Sequence, residues 1–159
     1  MLKNNFIPKI FAVSLIFLCS IAYSFELTGK KWIGGRATIF FSMPGISDSG
    51  VSWNSAFNAA VNEWNEKTVF DITASPIYRD PCLWDSLNSI KFAADICGQE
   101  FNDATLAVTV LRYTKQQLGP DAITEADIFI KEDVSFDIFD GERFQLGISP
   151  KAIDFGRTV

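Results

Sequence analysis

Trp53, Ala56, Phe57, Ala60, Val61 and Trp64 step along the chain as i, i+3, i+4, i+7, i+8 and i+11. That spacing predicts a long amphipathic helix with one buried apolar stripe. Asn54, Asn58, Asn62, Glu63 and Glu66 fall on its wet face. Trp53 and Trp64 read as core packing rather than ligand stacking, because they share the stripe. The loop Ser47-Asp48-Ser49-Gly50 can supply the cap. Ahead of it, Arg36 to Phe41 (RATIFF) is β-branched and aromatic, and Met43-Pro44-Gly45 stops it, so it predicts a first strand. Val69 to Thr73 alternates and predicts a second. Thr105 to Tyr113 (TLAVTVLRY) is the strongest strand signal, apolar through its middle and so expected to be buried on both faces. Ala126 to Ile130 predicts a short fourth strand. Residues 75 to 103 read as irregular, and residues 131 to 148 as acidic and aromatic with Gly141 and Gly147 as breakers. Asp154 can cap a helix starting at Phe155. The pattern is α+β: a twisted mixed sheet of about four strands with one long amphipathic helix packed on it.

The N-terminus follows another logic. Lys3 and Lys9 precede an apolar run, Ile10 to Ile21, which is too short for the roughly 20 residues that span a bilayer. Ala22-Tyr23-Ser24 then offers a small-x-small cleavage site. Residues 1–24 are therefore expected to be a secretory signal and 25–159 the mature domain, exported to the periplasm or beyond. An uncleaved anchor is the alternative. A lipoprotein reading through Cys19 is disfavoured by bulky Leu18. Cleavage removes both early lysines, so 12 of the 14 basic residues face 19 acidic ones and the net charge moves from −5 to −7. That balance argues against nucleic acid or anionic membrane as a partner. Cys82 and Cys97 remain, an even pair. In an oxidising compartment they are expected to bridge, with two buried thiols as the alternative.

The chemistry on offer is narrowed by one count: the chain contains no histidine. This removes the commonest metal ligand and general base, and with them any Ser-His or Cys-His nucleophile. No Ser-x-x-Lys signal or phosphate-cradling glycine loop appears, since Gly34-Gly35 precedes a strand instead of joining strand to helix. The acids Glu125, Asp127, Glu132, Asp133, Asp137, Asp140 and Glu142 form a dense stretch. Their spacing does not match a calcium-binding loop, and a solvated loop is the expected reading, with calcium left open.

Four phrases carry a family resemblance: Trp53-Asn54-Ser55-Ala56-Phe57 through Val61-Asn62-Glu63-Trp64-Asn65; Ala104-Thr105-Leu106-Ala107-Val108-Thr109; Glu125-Ala126-Asp127-Ile128-Phe129-Ile130; and Asp154-Phe155-Gly156-Arg157. Their content and order resemble the N-terminal part of a bacterial matrixin-like metalloprotease catalytic domain, in the metzincin group. The resemblance spans about residues 30 to 159. It implies a secreted zinc metalloendopeptidase acting on protein or peptide. In that family two histidines of His-Glu-x-x-His and a third after a glycine turn bind zinc, and the Glu serves as base for zinc-bound water. The last phrase opens the helix that carries this motif, so the chain stops where the motif is expected to begin. No zinc ligand and no catalytic residue carries over to these 159 residues.

What the resemblance does offer is scaffold: a twisted sheet, the first helix, and an edge strand that pairs with extended substrate. The sequence does not say which strand is that edge. Without the zinc helix, one apolar sheet face is expected to stay uncovered, which predicts a marginal or aggregation-prone domain. Two other readings stay open. One is a non-catalytic exported module that holds an extended peptide on the sheet edge. The other is a disulfide-stapled α+β protein that resembles matrixins by chance.

Overall fold

A computed structural model describes residues 28–138 and 153–155. The expected export signal at 1–24, the acids Asp140 and Glu142, and the helix expected beyond Phe155 lie outside the described residues. The elements are β1 (Lys30–Trp32), β2 (Arg36–Phe41), α1 (Trp53–Lys67), β3 (Asp71–Ser75), β4 (Asn88–Ala93), β5 (Ala107–Thr114), β6 (Asp121–Lys131), β7 (Phe136–Asp137) and β8 (Ile153–Asp154). Among the described residues the architecture is α+β, with a mostly parallel sheet and one helix. No helix among the described residues is long and apolar enough to cross a membrane.

Six strands make the main sheet, where about four were expected. The order runs β3, β2, β4, β6, β5, and all of these neighbours are parallel except β5, which is antiparallel to β6. β1 joins the first residues of β6, pairing Lys30 with Asp121 and Trp32 with Ile123. β7 and β8 form a separate small parallel pair.

β4 had been expected to be irregular. It is instead an inner strand of the sheet, because its polar start is satisfied by neighbours on both sides. Asn88 donates to the Thr38 carbonyl (2.8 Å) and accepts from the Ala126 N–H (2.8 Å). β6 extends well beyond the expected Ala126–Ile130, since β1 and β5 supply pairing for its earlier half. The chain at 153–154 is extended rather than a cap, and buried Phe155 closes onto Trp53 (5.2 Å) and Phe92 (5.8 Å).

The two sheet faces are built differently. On one, α1 lays Ala56, Phe57 and Val61 against Phe41, Met43, Ile90 and Ile130. The helix is capped by Ser52, two residues beyond the Ser47–Gly50 loop expected to supply the cap, and its hydroxyl accepts from the Ser55 N–H (3.1 Å). At its far end the Asn65 amide clamps β3, donating to the Ile72 carbonyl and accepting from the Ile72 N–H (both 2.8 Å). On the other face no helix packs among the described residues. Phe129, Ala93 and Phe101 make a smaller cluster there, joined by Cys82, Ile96, Val108 and Val110. The loop that covers it is tied by the Cys82–Cys97 disulfide across a separation of 15 residues. Cys97 has φ 53°, and Gly98 follows at φ 86°, where the Asp95 carboxylate accepts its N–H (2.7 Å). Two successive left-handed residues turn the chain sharply after the bridge, and glycine takes the second at no steric cost.

Candidate functional site

β5 ends the sheet. Among the described residues it pairs only with β6, so its other side carries unpaired backbone groups. This corrects the expectation of a strand buried on both faces: Thr109, Leu111, Tyr113 and Thr114 are exposed and the rest only half-buried. A run such as AVTVLRYT reads as an interior strand because apolar continuity does not distinguish burial from an edge.

The register fixes which groups face outward. The Lys131 N–H donates to the Leu106 carbonyl (2.9 Å), and the pairing continues as Val108 with Phe129, Val110 with Asp127 and Arg112 with Glu125. In an antiparallel ladder hydrogen-bonded pairs alternate with non-bonded ones. Val108, Val110 and Arg112 therefore bond inward to β6. Ala107, Thr109 and Leu111 turn their N–H and C=O groups outward. The ladder shifts after Arg112, where Tyr113 meets Ile123 and Thr124 is left without a partner. Such a bulge increases local twist and ends regular pairing.

Beneath this edge lies a buried charge cluster. Glu125 and Asp127, only 2% and 1% exposed, alternate on β6 and so share one face with Arg112 of β5. Arg112 ion-pairs with Glu125 and reaches Asp127 at 3.5 Å. The Ser86 N–H donates to Glu125 (2.7 Å), and Ser86 reaches that position at φ 63°. The Ser89 N–H (3.1 Å) and hydroxyl (2.7 Å) both donate to Asp127. Arg112 also donates to the Leu83 carbonyl (3.3 Å), and its guanidinium lies 4.4 Å from the Trp84 ring. Burial is the largest influence on Asp127 and pushes its carboxyl above the usual range; the Ser89 bonds and Arg112 pull against it, and nearby Asp85 adds to the rise. The acidic stretch is thus not a solvated loop throughout. Its first two acids are interior, Asp133 pairs at the surface with Lys131 (3.6 Å), and Asp137 caps the Ser49 and Ile138 N–H groups.

On the helix face, a mostly apolar cavity of about 200 Å³ opens between α1 and the sheet, lined by Ile39, Phe57, Ala60, Val61, Trp64, Ile72 and Ile128. Of the expected core stripe, Ala56, Phe57 and Val61 are buried, while Trp53 and Ala60 are partly so. Trp64 departs from the expectation. It is 51% exposed where it lines this cavity beside Ile39, Ile72 and Ile128.

The donor set does not fit zinc. The chain has no histidine, Cys82 and Cys97 are bridged, and among the described residues no group of three His, Cys, Asp or Glu converges on one point. Glu125 and Asp127 share a strand face, where Arg112 ion-pairs with Glu125 and reaches Asp127, the Ser86 N–H donates to Glu125, and the Ser89 N–H and hydroxyl donate to Asp127. What sequence reasoning missed is this cluster and Trp84. The signal was present only as Glu-x-Asp on a strand and an arginine on its neighbour, and nothing short of the register connects them. No family model, no curated protein and no solved structure matches this chain.

Proposed function

We propose that this chain holds an extended peptide by strand addition on β5, as the substrate-binding part of an exported matrixin-like metalloendopeptidase scaffold. One observation carries the reading: β5 is a long antiparallel edge whose Thr109 and Leu111 backbone groups point away from the sheet. An added strand satisfies those groups by main-chain hydrogen bonds, and alternate side chains supply selectivity. The mostly parallel sheet with one antiparallel edge and the single helix among the described residues are compatible with that scaffold. The disulfide supports an oxidising destination. Peptide hydrolysis by zinc-activated water belongs to the family and needs histidines that these residues do not supply, so binding alone is assigned to this chain. Calcium gains no support from Glu125, Asp127, Asp133 and Asp137, each of which is engaged with a protein partner.

Leu111→Pro tests the edge. It removes one outward N–H and no inward bond, and proline is tolerated on the free side of an edge strand. Capped heptapeptides with alternating Thr and Val should bind the parent chain and lose at least tenfold in affinity to the variant, whose melting temperature stays within a few degrees. Equal affinity in a folded Leu111→Pro chain contradicts the reading. Sequencing the gene through and beyond codon 159 addresses the family. An in-frame His-Glu-x-x-His followed by a third histidine makes this the peptide-holding half of a zinc protease. If no such motif follows, the non-catalytic module is the better account.

A further inference from the structure

We propose that Trp84, seated on Arg112, is a specificity-determining residue that selects an aromatic or large apolar side chain in a peptide paired on β5; this rests on β5 being the peptide-binding edge. Trp84 is 84% exposed, which is costly for a side chain that buries so much apolar area elsewhere. It is nonetheless held in place. Its ring lies 4.4 Å from the Arg112 guanidinium, and Arg112 is itself anchored by Glu125, Asp127 and the Leu83 carbonyl. One face of the indole is thus fixed from below and the other is open, an arrangement that presents a stacking surface already ordered before a ligand arrives.

The register brings that surface to the peptide. Arg112 bonds inward to Glu125, so toward an added strand it occupies a non-hydrogen-bonded position. Opposing residues at such positions approach most closely, with Cα atoms about 4.5 Å apart and side chains on the same face. The peptide residue opposite Arg112 therefore projects onto the face where Trp84 sits, alongside half-exposed Leu83 and the neighbouring Val110.

Charge narrows the class. Two buried carboxylates already answer the Arg112 charge, so an acidic peptide side chain finds no free cation there. Glu125 and Asp127 are sealed beneath the stack and offer a basic side chain nothing; the exposed carboxylate beside them is Asp85, which accepts the Leu87 N–H (3.0 Å). An aromatic or large apolar side chain instead buries the open indole face.

The test uses the full chain and capped heptapeptides with Thr and Val flanks and a central Phe, Leu, Gly, Glu or Lys, with affinities from calorimetry. The parent should prefer Phe over Gly by about five- to tenfold, the worth of an aromatic contact plus its burial. Trp84→Ala should lower that preference below about twofold while leaving the Gly peptide unchanged, and Trp84→Phe should keep part of it. A Trp84→Ala chain that still prefers Phe overturns the assignment and leaves the edge intact. Binding of every peptide unaffected by N-methylation of its backbone overturns the edge reading, and the role of Trp84 with it.

Discussion

The two faces of the sheet are held by opposite means. The helix side is apolar and aromatic, with Phe41 tilted against Phe57 (5.0 Å) and Trp53 edge-on to Phe92 (5.4 Å). The other side has a loop, a disulfide and a half-buried arginine beside two buried carboxylates. On the helix side stability comes from area removed from water, which is tolerant of detail. On the loop side it depends on each charge keeping its partner, and the loss of one leaves the others uncompensated. The second design does something the first does not: it fixes β5, the antiparallel edge strand, at the residue where its regular pairing ends.

The largest expected effect comes from breaking that arrangement at its hub. Arg112→Ala should cost about 3–5 kcal/mol, measured by urea unfolding, since it strands two buried carboxylates. A cost under about 1 kcal/mol would mean that the cluster is wetter than its burial says and that the contrast between faces is false. Next, replacing both Cys82 and Cys97 by serine should cost about 3 kcal/mol, from the freedom returned to a 15-residue loop in the unfolded chain. The helix side should keep its amide protection in that variant, and concerted loss from both faces would argue against two separable supports. Asn65→Ala probes the helix side, where the clamp on Ile72 is the main polar contact; leaving two backbone groups unpaired should cost about 2 kcal/mol.

The smallest effect is a pH dependence that distinguishes two aspartates. The Asp127 carboxyl is raised by burial, so the folded state holds that proton more tightly than the unfolded chain does. Its contribution is full below the unfolded carboxylate range and is lost as pH rises through the raised value. Asp137 is lowered, first by the Ser49 N–H bond, and its contribution is lost as pH falls. Asp127→Asn should therefore flatten the loss of stability on raising pH from acid toward neutral, and Asp137→Asn should flatten the loss on lowering it. Melting curves across that range with unchanged slope in Asp127→Asn would place the carboxylate in water.

The same contrast explains what could be read from sequence. The helix side was legible because its rule is local: the 3.6-residue period located α1, and β-branched runs located β2, over Arg36–Phe41. The paired cysteines were legible from their parity. The loop side was not, because its rule is register. Asn88 and Ser89 looked like loop residues until Thr38, Ala126 and Asp127 supplied their partners. Glu125 and Asp127 looked solvated until Arg112 was placed across from them. The apolar run of β5 predicts a strand but not its place at the edge, since the sequence of an edge strand does not state what lies beyond it.

The central claim is that Thr109 and Leu111 offer outward backbone groups to an added peptide. Residue-resolved amide hydrogen exchange reads this directly. In the free chain Val108, Val110 and Arg112 should be protected and Thr109 and Leu111 fast. Adding the Phe-centred heptapeptide should slow Thr109 and Leu111 at least tenfold and leave the other three unchanged. Thr109 and Leu111 amides that stay fast while the peptide is demonstrably bound would contradict the account.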